Sequence, residues 1–123
     1  MKIKLSLPLP PSINCLYHTD FKNKTRHKSK KYREWIEECD SLIEKTYTCK
    51  GTEKISVVYV FCDTWFNKSD GMIKKKDVES GVKAVSDYLP RVIAGFDDRQ
   101  IFEMILRKSD GGMKQVQICI EEI

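Results

Sequence analysis

The 123-residue sequence has no long apolar run and no glycine-rich phosphate loop. No apolar stretch approaches the roughly 20 residues that a membrane helix requires, so a helical membrane protein is excluded. Neither GxxxxGK[ST] nor GxGxxG is present, which leaves a nucleotide cofactor without support. The N-terminal residues MKIKLSLPLPPS contain no small-residue cleavage site, and we therefore expect no signal peptide and a cytoplasmic location.

Cysteine and histidine are also too sparse or too scattered for a recognisable site. The five cysteines form no CxxC pair and are odd in number, so we expect reduced thiols, several of them buried. His18 and His27 lie without a cysteine at zinc-site spacing, and structural zinc is not expected. Both histidines fall in a basic segment, where no Ser/His/Asp arrangement can be argued.

Positive charge is present and unevenly distributed. The net charge of +4 is modest, and the length fits a single domain over residues 1–123. Two basic clusters stand out, and an anionic partner is the simplest reason for them. They contain Lys22, Lys24, Arg26, Lys28, Lys30 and Lys31 in the first and Lys74, Lys75 and Lys76 in the second.

Hydrophobic periodicity predicts four strands and two helices. Ile3, Leu5 and Leu7 alternate with polar residues as in a half-buried strand, whereas KISVVYVFC is apolar on both alternating faces and predicts a central strand covered on both sides. The i, i+3, i+4, i+7 stripe that follows Ser29 predicts an amphipathic helix with Ser29 as its N-cap. The predicted strands are 2–7, 54–62, 99–107 and 114–121, and the predicted helices are 29–47 and 78–89.

The connections complete the predicted fold. Residues 14–29 are predicted to form a basic surface loop, and residues 63–76 a loop with a turn at Ser69-Asp70-Gly71. Pro90 is predicted to mark the end of the second helix. The SDGG segment at 109–112 predicts a hairpin that pairs the last two strands. The order strand, helix, strand, helix, strand, strand predicts a small α+β domain, with one mixed sheet of about four strands and two helices packed on it.

Two acids, Asp77 and Glu79, directly follow the second basic cluster in KKKDVES. Helical spacing places Glu79 beside Lys83 and Lys83 beside Asp87. Taken alone, this row favours exposed ion pairs, worth about 0.3 to 0.5 kcal/mol each. Asp77 is also a candidate N-cap of the second helix. The spacing therefore leaves ion pairs, a cap and a metal site open.

A third acid comes from the adjacent pair Asp97 and Asp98, in the loop before the third strand. Asp97, after Gly95-Phe96, is the more turn-like of the two. If Asp77, Glu79 and Asp98 converge, they form a carboxylate centre of the kind that binds Mg²⁺. The neighbouring lysines would then hold the backbone of a nucleic acid whose phosphodiester is hydrolysed.

The whole chain resembles the RusA family of Holliday-junction resolvases, phage-derived endonucleases that cut four-way DNA junctions. LPLPPSINCLY (7–17) is similar to the family's strand and Pro-Pro-Ser-x-Asn turn. KKDVESGVKAVSD (75–87) resembles its basic-Asp-x-Asp-Asn-x-x-Lys segment. GFDDRQI (95–101) resembles its Gly-aromatic-x-Asp-Asp segment. Order and spacing together cover nearly the whole chain.

The resemblance implies a role for each matching residue. It implies Mg²⁺ ligands at Asp77, Glu79 and Asp98, with Mn²⁺ as a substitute, and a catalytic or phosphate-contacting lysine at Lys83. It also implies a DNA contact at Lys76 and a homodimer with an α/β fold. Two positions depart from the pattern, since Glu79 replaces the usual Asp and Ser80 the usual Asn. We expect oxygen chemistry, and hence activity, to survive both changes.

The resulting hypothesis is a Mg²⁺-dependent endonuclease that resolves four-way junctions in recombination and repair. Lys74–Lys76 and the first basic cluster would hold DNA backbone, and Tyr17 or Phe21 would stack on unpaired bases unless they are buried in the core. One alternative is a non-catalytic module that binds branched DNA, although a pure binder gains nothing from acids among its lysines. The other is a flap or fork nuclease with the same metal site.

Overall fold

The alternating apolar residues of the chain form a four-stranded sheet with both helices packed on one of its faces. The computed structural model describes all 123 residues. Its elements are β1 (Lys2–Leu7), β2 (Tyr17–Asp20), β3 (Thr25–Lys28), α1 (Lys30–Leu42), β4 (Tyr47–Thr48), β5 (Ile55–Asp63), α2 (Glu79–Val92), β6 (Ile93–Ala94), β7 (Ile101–Asp110) and β8 (Gln115–Glu122), with 3₁₀ turns at Ile13–Cys15 and Asp98–Gln100. The predicted α+β class with a mixed sheet is confirmed. Neither helix is long and apolar enough to cross a membrane.

The order of strands in the main sheet is β1-β8-β5-β7. β8 runs antiparallel to β1 and β5, while β7 runs parallel to β5. The predicted hairpin between the last two strands is therefore wrong, because β7 and β8 lie on opposite sides of β5. Gly111 and Gly112 do make a turn at positive φ, with the Gly111 N–H bonded to the Asp63 carbonyl. The turn leads the chain across the end of β5.

The core lies between the sheet and the two helices. Val57, Tyr59 and Phe61 of β5 are buried there against helix residues such as Trp35 and Leu89. Val116, Ile118 and Ile120 of β8 point the same way, as their alternation predicted. The outward residues Val58 and Val60 are only half-buried, because no helix packs on that face. The expectation of a central strand covered on both sides is wrong for this reason.

Helix α1 begins as predicted and ends earlier. The Ser29 side chain accepts a hydrogen bond from the Tyr32 N–H at 3.1 Å, which confirms the predicted cap. The helix stops at Leu42, five residues short of the predicted end, because Tyr47 and Thr48 leave it to pair in parallel with Ile93 and Ala94. The apolar periodicity continues through this stretch, so the pattern alone could not show the change of partner.

Helix α2 differs from its predicted bounds at both ends. Pro90 lies inside the helix, which continues to Val92, so the predicted end is wrong. A proline so near the C-terminus removes one hydrogen bond and leaves little helix beyond it to disrupt. At the other end Val78 occupies the N-cap position, and Asp77 makes no capping bond. The Asp77 carboxylate is thereby left free.

The predicted basic loop contains a small antiparallel hairpin, β2 paired with β3. The Asp20 side chain closes its turn by accepting the N–H groups of Lys22 and Asn23. Every side chain of β3 is exposed, and the hairpin has no apolar face, which is why no strand periodicity was visible.

The predicted loop after β5 also folds back on itself, and we call residues 64–76 the wedge hairpin. Phe66 and Ile73 form an antiparallel bridge, and the turn between them contains the predicted Ser69-Asp70-Gly71. Gly71 has a φ of +71°, which a residue with a side chain rarely adopts. The hairpin ends directly before Asp77.

Candidate active site

Asp77 and Glu79 lie together at the start of α2, which is packed tightly on the end of β5. Gly81 allows this approach, because a Cβ there would meet the Phe61 ring at 3.0 Å and Pro10 at 3.1 Å. Asp77, Val78 and Glu79 line a shallow open cleft whose fourth residue is Lys108 of β7. We call this end of the sheet, where β5 and β7 finish, the α2 end.

Asp77 and Asp98 are the two aspartates whose side chains form no hydrogen bond with an N–H or O–H group and no ion pair. Of the nine aspartates in the sequence, seven accept a hydrogen bond or form an ion pair through the side chain: Asp20, Asp40, Asp63, Asp70, Asp87, Asp97 and Asp110. Asp77 and Asp98 receive no hydrogen bond from an N–H or O–H group and pair with no cation, and both are exposed. Glu79 is equally free. Their carboxylate oxygens are available to a ligand.

Asp98 lies at the opposite end of the sheet, where β5 and β7 begin, which we call the Asp98 end. Ile101 pairs with Ile55 there, whereas Lys108 pairs with Phe61 at the α2 end. Seven residues of strand separate the two ends, or about 23 Å at roughly 3.3 Å per residue. No group of three potential metal ligands occurs within the chain. The expected convergence of Asp77, Glu79 and Asp98 therefore does not occur in one copy of the protein.

Local hydrogen bonds fix the backbone around Asp98. The Asp97 carboxylate accepts the Arg99 N–H at 2.9 Å, and the Gln100 side chain accepts the Asp97 N–H at 2.8 Å, so the predicted turn role of Asp97 is confirmed. The guanidinium of Arg99 also bonds to Asp97 and, with that backbone bond, lowers its pKa to about 2. Asp97 stays bound to Arg99, and Asp98 is left exposed beside it.

Asp63 is the buried acid of the α2 end. Its side chain accepts hydrogen bonds from the Lys76 ammonium at 2.7 Å and from the Thr64 N–H at 2.8 Å, and Lys114 lies 3.9 Å away. Burial raises its pKa, but the Lys76 and Thr64 hydrogen bonds outweigh burial, and the pKa lies below the usual range. Lys76, the predicted DNA contact, thus has one of its three ammonium donors bound to Asp63.

The lysine beside the free acids is not the one that helical spacing indicated. Lys83 pairs with Asp87 at 3.1 Å, and no ion pair forms between Lys83 and Glu79. Lys108 instead lines the cleft of Asp77 and Glu79, with its ammonium 4.7 Å from the centre of the Trp65 ring and no carboxylate partner. Sequence analysis missed Lys108, because only the register of β7 against β5 brings it to this cleft.

The first basic cluster covers the β2–β3 hairpin and the start of α1. Lys22, Lys24, Arg26, Lys28, Lys30 and Lys31 are all exposed. Arg26 stacks on the half-buried Tyr17 at 4.5 Å, and Tyr17 packs edge-on against Tyr32 at 5.8 Å. Of the two aromatic candidates for base stacking, Tyr17 is thus held in place, and Phe21 is 88% exposed. Lys74 and Lys75, on the wedge hairpin, form no ion pair.

The donor chemistry of the free acids fits a hard divalent cation. Mg²⁺ prefers oxygen ligands, retains several waters and is usually bound by one or two protein carboxylates. Asp77 and Glu79 supply two such groups on one cleft, and neither must break an existing bond to bind. The extra methylene of Glu79 does not change this donor set. Ser80 is turned away from the carboxylates, since its hydroxyl donates to the Asp77 carbonyl at 2.8 Å.

Comparison with known protein families gives a match over most of the chain. The model of the family described as Endodeoxyribonuclease RusA matches residues 8–121. A search of curated proteins finds no significant match. The matched range includes both ends of the sheet, the wedge hairpin and the first basic cluster, so it covers every candidate site residue described above.

Proposed function

The chain belongs to the RusA endodeoxyribonuclease family, a DNA-binding nuclease family of Holliday-junction resolvases, and from that premise we propose that it resolves four-way DNA junctions with Mg²⁺. Mn²⁺, which also accepts oxygen ligands, is expected to substitute. The observation that carries the proposal is the set of free carboxylates. Asp77, Glu79 and Asp98, the acids that match the family's motifs, are left unpartnered while the other seven aspartates are bound within the fold.

We further infer that one active site draws its carboxylates from two copies of the chain. Asp77 and Glu79 lie at the α2 end, whereas Asp98 lies at the other end of the sheet, and the strand between Ile101 and Lys108 spans about 23 Å. A two-fold homodimer can bring the Asp98 end of one copy to the α2 end of the other, and symmetry then makes two equal sites. Two such sites suit opposed strands of a four-way junction. Dimerisation would therefore be required for catalysis.

The residues of the cleft would have different roles in phosphodiester hydrolysis. The carboxylates hold the divalent cation, which when bound neutralises phosphate charge and makes water more acidic. Lys108 has a free ammonium beside these carboxylates and contacts the scissile phosphate, where charge builds in the transition state. Lys83, which the family's motif makes the catalytic or phosphate-contacting lysine, must release Asp87 to take part. In the resting fold, Lys108 is the better placed of the two.

The basic residues outside the cleft hold DNA without reading its sequence. Lys22, Lys24, Arg26 and Lys28 project from the hairpin, and Lys30 and Lys31 from the first turn of α1. Contacts of this kind go to phosphates and position the duplex. Lys74, Lys75 and the free donors of Lys76 extend the same surface to the cleft. Substrate choice then rests on DNA shape, which favours junctions but leaves flaps and forks as competing substrates.

The test is cleavage of a synthetic four-way junction with Mg²⁺, beside flap, fork and duplex substrates of the same sequence. We expect paired nicks in the junction, weaker cutting of the other branched substrates and none of duplex. Asp77→Asn should abolish cutting and retain junction binding, because the change removes negative charge near DNA. Asp70→Asn, in the neighbouring turn, is the matched control and should cut normally. An intact junction with tight, Mg²⁺-independent binding would favour a non-catalytic module.

A further inference from the structure

The wedge hairpin carries large apolar side chains on its surface. Phe66 is 45% exposed, Met72 65% and Ile73 63%. Phe66 and Ile73 are partners in the antiparallel bridge, so their side chains stand on the same face of the hairpin. Exposed apolar groups that occur singly need no explanation, but adjacent ones mark a surface that contacts something.

Hydrogen bonds fix the shape of this hairpin. The Asn67 N–H donates to the Met72 carbonyl at 2.8 Å and the Lys74 N–H to the Trp65 carbonyl at 2.8 Å. Its base is the buried Trp65, whose indole N–H donates to the carbonyls of Phe61 and Ser109. The apolar tip therefore projects from a rigid support beside Asp77, and little conformational entropy is lost when it binds.

The charges around the tip identify the chemistry of the partner. Lys68 and Lys75 are exposed, Lys74 is half-buried, and none of the three forms an ion pair. The one acid of the tip, Asp70, accepts the Met72 N–H at 2.9 Å. An apolar centre flanked by free cations suits a partner that is anionic outside and apolar inside. Nucleic acid has this construction, with phosphates around stacked bases.

We propose that the wedge hairpin inserts Phe66 and Ile73 between bases at the branch point of a DNA junction, while Lys68, Lys74 and Lys75 hold the flanking phosphates. This inference rests on the proposed function for its substrate. Apolar side chains inserted into a base step unstack it at a cost of a few kcal/mol, and the cost is least where stacking is already interrupted. The hairpin would therefore favour branched DNA over continuous duplex.

The experiment uses the full-length protein and junctions that carry 2-aminopurine either at the branch point or in the middle of an arm, without divalent metal. Wild type should raise the fluorescence of the branch-point probe severalfold and leave the arm probe unchanged. Phe66→Ala combined with Ile73→Ala should remove most of this rise and reduce the preference for junction over duplex by about tenfold. Leu42→Ala, which removes a 53% exposed side chain at the end of α1, is the matched control and should behave as wild type.

Three outcomes would contradict the proposal that the wedge hairpin inserts at the branch point. A double variant that opens the branch point as well as wild type would do so, as would a wild type that cuts junctions without any fluorescence change. A double variant that is monomeric in sedimentation, where wild type and Leu42→Ala are dimeric, would assign the apolar tip to contact between copies. By contrast, a wild type that opens the branch point but never cuts refutes the nuclease proposal and leaves the wedge standing.

Discussion

Both ends of the main sheet carry acids that are bound within the fold and acids that are free, but neither end holds all three acids that match the family's motifs. At the α2 end Asp63 and Asp110 are bound within the fold, and Asp77 and Glu79 are free. At the Asp98 end the Asp97 carboxylate is bound to Arg99, and Asp98 alone is free.

The difference lies in the surrounding charge. Lys76, Lys108 and Lys114 lie near the acids of the α2 end. At the Asp98 end the Arg99 guanidinium is already paired with Asp97, and the Lys54 ammonium stacks on Phe102. The α2 end thus has the cations and two ligands, and the other end adds only a carboxylate. Each end supplies part of the three-acid set that the family's motifs imply, which is why we propose that the active site is shared between two copies.

The largest expected change in cleavage rate is at the Asp98 end, where the adjacent acids Asp97 and Asp98 should differ. Asp98→Asn should lower the rate of junction cleavage by about 100-fold or more, because it removes a proposed metal ligand that stabilises the transition state. Asp97→Asn should retain most of the activity, because that carboxylate is bound to Arg99 rather than facing solvent. Single-turnover cleavage at saturating protein measures both. Equal losses in the two variants would mean that the Asp98 end acts only as a structural turn.

A smaller loss of cleavage rate is expected when Lys108, the lysine of the cleft, is replaced. Lys108→Ala should reduce the single-turnover rate by about tenfold, with junction affinity changed much less, because the ammonium acts on charge that builds in the transition state. Lys108→Arg should recover part of the rate. Lys4→Ala is the control, since Lys4 is also an exposed strand lysine but lies on β1, at the opposite edge of the sheet from β7. If both alanine variants cut alike, Lys108 has no role in the chemistry.

The smallest expected effect concerns the free energy of unfolding and its dependence on pH. The Lys76 and Thr64 bonds hold the folded-state pKa of Asp63 below its unfolded value near 4, so the stabilisation is complete above that value and is lost as pH falls through the folded pKa. Asp63→Asn should therefore lower the free energy of unfolding by about 1 to 2 kcal/mol at pH 7. The difference from wild type should shrink towards pH 3 in urea titrations followed by circular dichroism. Asp97→Asn, whose side chain is less buried than that of Asp63, should change stability less. A pH-independent difference for Asp63→Asn would contradict this account.

Much of the fold could be predicted because it is encoded locally. The alternation of β1 and β8, the buried run of β5 and the cap at Ser29 all lie within short windows. Strand order could not be predicted, because the glycine turn at 111–112 is compatible both with a hairpin and with a crossing over β5. The end of α1 was missed for a similar reason, since Tyr47 satisfies the helical pattern and also pairs with Ile93.

The candidate site could likewise be predicted from the sequence only in part. Asp77 and Glu79 were recognisable as neighbours because helix geometry fixes their spacing. Lys108 was not, because its approach to them depends on how β7 aligns with β5. The separation of Asp98 likewise depends on sheet order, so the sequence motifs could name three acids without showing that they lie at two ends of one chain.

The central claim is that the active site is shared between two copies, and mixing two inactive variants tests it most directly. Asp77→Asn and Asp98→Asn should each leave junctions intact alone. In a mixed dimer one site contains both changes and the other contains neither, so after random exchange about a quarter of the wild-type number of sites should be intact, and nicking should return. If every site lies within one chain, the mixture stays as inactive as its components, and that result would contradict the account.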